Sequence, residues 1–233
     1  MLARRMSPLH LRPKTPYAPD VLLPGDPGRA MVLAQQLLTE PKMSNHNRGL
    51  WGYSGETADG HPLSIQSTGV GGPSAALVLQ ELGEVGVRRA IRVGTCGALD
   101  EALGLGELLC AGAALPEDGT SAALGADGPA RPDPALQKRL RRRAEPVTVA
   151  STDLFYEPDG TARGRWIAAG ARAVEMEAAT LFTLGARLGV AMGCLLVVSD
   201  VFPGGERRRI TDDDLAAAVE RMGVAALETL EEP

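Results

Sequence analysis

Short apolar runs alternate with helix-like segments along the chain, and this alternation constrains the fold more than any other feature. Residues 21–25, 90–97 and 192–200 have the length and composition of strands, and each run adjoins a segment with helical periodicity. This order is typical of an α/β protein with a largely parallel or mixed sheet. The chain has 233 residues and no evident repeat or linker, so we predict a single domain over residues 1–233.

Composition and charge argue against several classes of protein. Hydrophobic residues make up 44% of the chain, charged residues 23%, and the formal net charge is −5. A general nucleic-acid binder would carry a clustered basic excess, so we expect no nucleic-acid partner. We interpret the basic run KRLRRR at residues 138–143 as a solvated helix face. No apolar run approaches about 18 residues, so we expect no membrane association.

Cysteine and histidine usage indicates a cytoplasmic protein without a metal site. Cys96, Cys110 and Cys194 are scattered, which suits buried thiols in a reducing compartment and not a disulfide framework. The histidines show no spacing typical of metal ligands.

Two glycine-rich segments follow strand-like runs. TGVGGPSA, at residues 68–75, lacks the glycine spacing and the later acid of a dinucleotide-binding fold. GTCG, at residues 94–97, is predicted to form a tight turn at the carboxyl end of a strand, where open α/β sheets bind ligands. Residues 116–134 are rich in Gly, Ala, Asp and Pro and are predicted to form a long surface excursion.

Two arginines each allow a structural and a functional interpretation. Asp26 and Pro27 suit helix initiation, but Arg29 in the first turn opposes the helix dipole and would be favoured by a nearby anion. Arg92 lies in a strand that should be central. Its guanidinium needs either an internal acid or a bound anion, because burial of an unpaired charge is costly.

Three acids also leave both interpretations open. Glu175 and Glu177 could stabilise a helix N-terminus, or they could accept hydrogen bonds from sugar hydroxyls with Met176 against the apolar face of the sugar. Asp200 ends an apolar strand, where it could cap a turn or act as a general acid.

Six motifs in one order resemble the nucleoside phosphorylase family that includes purine nucleoside phosphorylases and uridine phosphorylases of the hexameric type. They are PGDPGRA, STGVGGPSAALVLQEL, RVGTCGA, STDLFYEPDG, VEMEAA and VVSD. The resemblance extends from His10 to the last helix. It implies a three-layer α/β/α sandwich with a mixed, partly barrel-like central sheet. It also implies reversible phosphorolysis, in which nucleoside and inorganic phosphate give free base and pentose 1-phosphate, with phosphate as co-substrate and no cofactor.

The resemblance assigns a role to each matching position. It implies a phosphate site made of Gly25, Arg29, Arg48, Arg92 and Thr95. It implies a nucleoside site made of His10, Phe155, Val174, Glu175, Met176, Glu177 and Ser199. Asp200 matches the acid that meets N7 of a purine. His10 and Arg48 match residues that complete a neighbouring subunit's site, so a homo-oligomer is expected, a hexamer built as a trimer of dimers.

The same resemblance favours purine nucleosides as substrates. FYEPDG at residues 155–160 and the pair Ser199–Asp200 follow the purine pattern. A uridine phosphorylase is the alternative. A nucleosidase, which uses water, is disfavoured by Arg29, and a non-catalytic nucleoside-binding protein is disfavoured by Arg92 together with Asp200.

One position departs from the family pattern. Purine enzymes of this type often carry an arginine at the start of the last helix that assists the acid. Ungapped counting from Asp200 leads to Asp213 instead. Arg207, Arg208 and Arg209 lie just upstream and are the candidates for that role.

Overall fold

The computed structural model describes residues 8–157 and 160–232, so residues 1–7 of the predicted domain and Pro158–Asp159 of the FYEPDG motif lie outside it. Ten strands of the described chain form one mixed sheet. In chain order they are β1 (Asp20–Leu23), β2 (Thr39–Asn45), β3 (Gly52–Glu56), β4 (Pro62–Gln66), β5 (Arg89–Ala98), β6 (Leu108–Glu117), β7 (Glu145–Thr152), β8 (Ala173–Glu175), β9 (Ala191–Val201) and β10 (Arg208–Arg209).

Seven α-helices of the same described residues connect or cover these strands. In chain order they are α1 (Pro27–Leu37), α2 (Gly72–Glu84), α3 (Gly119–Ala123), α4 (Pro134–Leu140), α5 (Ala162–Ala168), α6 (Ala178–Leu188) and α7 (Asp212–Glu231).

Part of the sheet closes into a ring. The spatial order is β10-β9-β6-β7-β8-β5-β1-β4-β3-β2, and β5 also pairs with β9. β5, β9, β6, β7 and β8 therefore form a closed, barrel-like circuit, while β1 to β4 extend it as an open sheet. β1 runs parallel to β5, and β5 runs parallel to β9. The predicted mixed, partly barrel-like sheet is confirmed.

Helices cover both faces of the central strands, which explains why these strands are continuously apolar. Along β9, Cys194, Leu196 and Val198 belong to the core cluster beneath α2 and α6, whereas Leu195 and Val197 belong to the cluster beneath α1, α4 and α7. Successive side chains of a strand point to opposite faces, so a strand buried on both sides cannot alternate apolar with polar residues. The predicted three-layer α/β/α arrangement is confirmed.

Side chains cap the first turns of α1 and α7. The Asp26 carboxylate accepts a hydrogen bond from the Arg29 backbone N–H at 2.7 Å, with Pro27 in the first turn of α1. Thr211 Oγ1 accepts from the Asp214 backbone N–H at 3.1 Å and caps α7. These caps fix where each helix leaves the sheet.

The tight turn predicted at residues 94–97 is wrong. β5 continues through this segment to Ala98 because β9 pairs along it and β8 joins at its end, with Thr95 opposite Val197 and Gly97 opposite Val174. Gly94 serves close packing: a Cβ atom there would lie 2.9 Å from the Arg92 guanidinium carbon. The glycine leaves room for a folded-back arginine and does not reverse the chain.

Two other segments also differ from the expectation. Residues 116–134 contain the end of β6, the short helix α3 and a bridge between Ala114 and Ala130, so they are not one irregular excursion. The basic run is only partly helical, since α4 ends at Leu140. Beyond that point Arg143 pairs with Glu228 of α7 at 3.2 Å. The run packs against the last helix as well as facing solvent.

Candidate active site

A cleft of about 730 Å³ opens where the carboxyl ends of β1, β8 and β9 meet the middle of β5. It gathers most of the predicted site residues from distant parts of the sequence. The predicted residues that line it are Gly25, Arg29, Arg92, Thr95, Phe155, Val174, Glu175, Met176, Glu177, Ser199 and Asp200. His10 and Arg48 lie elsewhere on the chain's surface. Glycine and apolar side chains form much of the remaining wall, which suits a small organic ligand.

Arg92 lies at the floor of this cleft and is already paired with two acids. Its Nε donates to Glu175 Oε2 at 2.9 Å, and its Nη2 forms an ion pair with Glu177 Oε2. All three side chains are buried. Burial would lower the pKa of Arg92, but Glu177 and Glu175 more than offset that effect and raise it. The internal salt bridge considered for Arg92 therefore exists, and it lies inside the ligand cleft.

The two acids differ in how completely their oxygens are used. Glu175 accepts from Ser151 Oγ, from the Glu177 backbone N–H at 2.9 Å and from the Ala178 backbone N–H at 3.0 Å. It caps α6 from the last residue of β8. Glu177 accepts from the Gly71 backbone N–H at 2.6 Å. Burial raises the pKa of Glu177, and Arg92 opposes that shift together with backbone hydrogen bonds from Gly71 and Met176. Glu177 has the greater spare capacity to meet a ligand.

The glycine-rich loop TGVGGPSA forms a wall of the cleft through backbone contacts. A Cβ at Gly25 would lie 3.2 Å from the Gly69 carbonyl oxygen, so the β1–α1 loop and this loop pass close to each other. The Gly69 N–H donates to the Gly25 carbonyl at 3.0 Å. Gly71 has φ +83° and directs its N–H at Glu177. The loop therefore holds the carboxylate that pairs with Arg92.

Arg29 supplies a second positive charge at the same end of the cleft. Its guanidinium has no salt bridge within residues 8–157 and 160–232. Burial lowers the pKa of Arg29, with smaller opposing influences from Asp26 and Glu177 and a further lowering from Arg92. A half-buried arginine without a salt bridge, close to a second arginine, is a favourable position for an anion.

Asp200 lies at the other end of the cleft and is held by its neighbours. Ser199 Oγ donates to one carboxylate oxygen at 2.7 Å, and Arg207 Nε donates to the other at 2.8 Å. The side chain is buried, whereas that of Arg207 is about 39% exposed. Of the three candidate arginines, Arg207 therefore makes the contact with the acid.

A short reversal of the chain accounts for the position of Arg207. After β9 the chain turns through a 3-10 turn, Pro203–Gly205, in which Gly204 has φ +61°. β10 then pairs antiparallel to β9, with Arg209 opposite Asp200. Arg207 directly precedes β10, so this pairing brings it back to the Asp200 carboxylate although six residues separate the two in sequence.

Aromatic rings cover the Asp200 end of the cleft. The Arg207 guanidinium lies 5.1 Å from the ring centroid of Phe155, and Phe155 packs edge-on against Tyr156 with centroids 5.0 Å apart. Arg163 lies 4.5 Å from the ring centroid of Phe202. Such contacts between a cation and an aromatic face stabilise both groups where water is partly excluded.

His10 and Arg48 lie close together on a different part of the surface. His10 Nδ1 lies 2.8 Å from Glu81 Oε1. The His10 carbonyl accepts from Asn47 Nδ2 at 2.8 Å, and Asn47 directly precedes Arg48. Arg48 is exposed and adopts a left-handed backbone conformation with φ +58°. Neither side chain lines the cleft of its own chain.

Several cleft residues were not found from the sequence. Thr152 ends an apolar strand, a position that could have indicated it, since open α/β sheets bind ligands at the carboxyl ends of their strands. Arg163, Trp166 and Phe202 gave no such signal, because they enter the cleft from α5 and from the segment after β9.

The described residues contain no group of three or more His, Cys, Asp or Glu side chains placed to hold a metal ion. Over the same residues no helix has the length and apolar character needed to cross a bilayer.

Two arginines and two buried carboxylates thus lie at one end of the cleft, and a third acid lies near aromatic rings at the other end. The chain belongs to the phosphorylase superfamily, whose family model matches residues 19–231. It is 35% identical over 227 residues to a purine nucleoside phosphorylase DeoD-type of Streptococcus suis, covering 91% of this chain and 94% of that protein.

Two further relatives agree with this assignment. A guanosine phosphorylase of Halorubrum lacusprofundi is 35% identical over 201 residues, covering 83% of each chain. A solved structure of uridine phosphorylase from Vibrio fischeri ES114 superposes with a TM-score of 0.82 at 28% identity, covering 92% of this chain and 91% of that one. The resemblance inferred from the six motifs is confirmed.

Proposed function

We propose that the protein cleaves purine ribo- and deoxyribonucleosides by phosphorolysis, releasing free base and the pentose 1-phosphate for purine salvage. The observation that carries this proposal is the joint presence, in one cleft, of an anion pocket around Arg29 and Arg92 and of an acid, Asp200, at the opposite end. The relatives named as purine nucleoside phosphorylase and guanosine phosphorylase support the purine assignment.

Phosphate would bind between Arg29, Arg92, Thr95 and the backbone at Gly25. Cleavage of the bond between C1′ and the base nitrogen passes through a state with positive charge on the sugar, as in other glycosyl transfers. A phosphate oxygen on the opposite side of C1′ stabilises that charge and then forms the new bond to C1′. The electron pair of the broken bond leaves with the base.

Charge balance supports a further cation at this site. Arg92 is paired with both Glu175 and Glu177, so at this end of the cleft Arg29 carries the positive charge that no ion pair of the described residues offsets. Arg48, exposed and outside its own cleft, would supply the additional charge to the site of a neighbouring copy. We therefore propose a homo-oligomer, of the hexameric type, in which His10 and Arg48 complete the neighbour's site.

Sugar and base contacts follow from the remaining lining residues. Glu177 would accept hydrogen bonds from sugar hydroxyls, with Met176, Val174 and Glu175 along the same wall. Phe155 would pack against the base.

Asp200, in its protonated form, would donate a proton to N7 of the purine, which improves the base as a leaving group. Arg207 would then stabilise the carboxylate that remains. Ser199 would hold the second oxygen of that carboxylate.

A panel of inosine, guanosine, adenosine and uridine, each assayed for base release with saturating phosphate, tests the purine assignment. We expect the three purine nucleosides to be cleaved at least about tenfold faster than uridine, because a uracil ring has no N7 for Asp200 to protonate. Faster cleavage of uridine than of every purine would replace the proposal with the uridine phosphorylase alternative.

A further inference from the structure

Glu81 is a buried carboxylate on α2, and within residues 8–157 and 160–232 it accepts hydrogen bonds from the segment that carries His10. It accepts from the Leu11 backbone N–H at 2.6 Å, from the His10 backbone N–H at 3.0 Å and from the Leu9 backbone N–H at 3.0 Å. It also contacts His10 Nδ1 at 2.8 Å. Leu9 and His10 precede the first strand, so these bonds attach an otherwise non-regular segment to the core.

The geometry determines which ring nitrogen of His10 is available. A carboxylate can only accept hydrogen bonds, so Nδ1 must carry the proton in the bond to Glu81. In the neutral ring Nε2 is then an acceptor. About 29% of the His10 side chain is exposed to solvent. Burial would raise the pKa of Glu81, but the backbone and ring donors outweigh it and lower that pKa, which keeps the acceptor ionised.

The same segment is bonded to the turn that carries Arg48. Asn47 Nδ2 donates to the His10 carbonyl at 2.8 Å, and the Arg12 backbone N–H donates to Asn45 Oδ1 at 3.0 Å. Asn45 Nδ2 in turn donates to the Leu50 carbonyl across the Arg48 turn at 2.5 Å. A non-glycine residue held in the left-handed region is strained and persists only where its surroundings fix it. These hydrogen bonds therefore hold the segment that carries His10 and the turn that carries Arg48 together.

We infer that Glu81 is a positioning residue for His10: it holds the ring in the Nδ1–H form, so that Nε2 faces outward to accept a hydrogen bond from the 5′-hydroxyl of a nucleoside bound to a neighbouring copy. This inference rests on the proposed function and on the proposed completion of the site across subunits. Glu81 does not touch the substrate. Its effect reaches the sugar only through His10.

The test compares inosine with 5′-deoxyinosine as substrates of the full-length wild-type protein and of E81Q, H10A and H10A/E81Q. Glutamine keeps the shape of Glu81 and replaces one acceptor oxygen by a donor. We expect E81Q to lower kcat/KM for inosine roughly three- to tenfold, the range for one neutral hydrogen bond, mainly through KM. We expect kcat/KM for 5′-deoxyinosine to stay unchanged and the double variant to resemble H10A.

E84Q is the matched control, because Glu84 lies one helical turn further along α2 and contacts Gln80 at 3.1 Å. We expect it to discriminate between the two substrates as the wild type does. If E81Q does not fold, E81D keeps the charge and withdraws it from the ring, and we expect the same selective loss.

Two results would overturn the inference: an unchanged ratio of kcat/KM between the two substrates in E81Q, whether or not both values fall, or an additive loss in the double variant. A wild type that does not distinguish the two substrates would also overturn it. Each assay is run with and without phosphate. Base release at the same rate with and without phosphate would instead contradict the proposed phosphorolysis. The ratio of kcat/KM for inosine and 5′-deoxyinosine can still be measured in that case.

Discussion

The two ends of the cleft are built in different ways. At the Arg92 end, the side chains of Arg92, Glu175 and Glu177 lie on or just after strands, are each 4% exposed, and form a paired cluster. At the Asp200 end, the acid is buried, while Phe155 is 56% exposed and Tyr156 is 84% exposed. The first end is fixed by the sheet, and the second is covered by loops.

This difference suggests that the Arg92 end serves the cleavage of the sugar–base bond, whereas the Asp200 end serves recognition of the base. A buried ion-pair cluster is preorganised, so it can stabilise charge in the transition state without rearrangement. Exposed rings around a single acid can move or be replaced at little cost to the fold. Substitutions at the Arg92 end should therefore damage both stability and turnover, whereas those at the Asp200 end should change turnover or substrate binding and leave the fold intact.

Arg92→Met should have the largest effect. It leaves the carboxylates of Glu175 and Glu177 buried without their cation, which we expect to cost about 3–5 kcal/mol of the free energy of unfolding. We also expect kcat/KM to fall about 10³-fold, because a preorganised positive charge at the phosphate site is lost. Denaturant unfolding and steady-state kinetics measure the two quantities.

Arg89→Met is its matched control. Arg89 lies at the start of the same strand and donates to the buried Asp20 at 2.7 Å, outside the cleft. We expect some loss of stability but an unchanged KM for phosphate. Equal effects of both variants on the KM for phosphate would contradict a direct role of Arg92 in phosphate binding.

Asp200→Asn should come second. The amide keeps the size of the side chain but cannot donate the proton of a carboxylic acid, so we expect kcat for inosine to fall about 10²-fold, the scale for a general acid. The midpoint of thermal unfolding should change little. Asp213→Asn, in the first turn of α7, should be fully active. A fully active Asp200→Asn enzyme would take Asp200 out of the mechanism.

Arg207→Gln should have a smaller effect, because it acts through Asp200. We expect kcat for adenosine to fall about tenfold, the value of one charge-assisted hydrogen bond. Arg208→Gln serves as the control, since Arg208 pairs opposite Val201 and does not contact the acid. An equal loss of kcat in both variants would indicate that residues 207–209 act only by maintaining the local structure.

Phe155→Ala should have the smallest effect of the four. Loss of one aromatic contact with the base is expected to raise the KM for inosine roughly three- to tenfold with kcat nearly unchanged. Tyr156→Ala, at the more exposed neighbour, should leave KM within about twofold. A fall in the free energy of unfolding for Phe155→Ala would contradict the view that this end is not part of the fold's stability.

The Arg92 end could be predicted from the sequence because it places a charged residue within an apolar strand. An arginine inside an apolar strand has to find a partner, and Glu175 and Glu177 follow another strand-like run. The turn expected at Gly94 was wrong because glycine in a strand can also serve close packing, and only the position of the Arg92 side chain distinguishes the two.

The Asp200 end could be predicted only in part. Asp200 itself ends a recognisable strand, but its contact with Arg207 depends on a two-residue strand and a left-handed Gly204, which carry almost no periodic signal. Ungapped counting led to Asp213 because it assumed a fixed loop length. The roles of His10 and Arg48 remain predictions, since they concern a neighbouring copy.

Phosphorus NMR of inosine incubated with the protein and inorganic phosphate tests the central claim most directly. The account predicts that base release stops when phosphate is omitted, and that with phosphate one ribose 1-phosphate appears for each hypoxanthine released. Hypoxanthine and free ribose forming at the same rate without phosphate would contradict it.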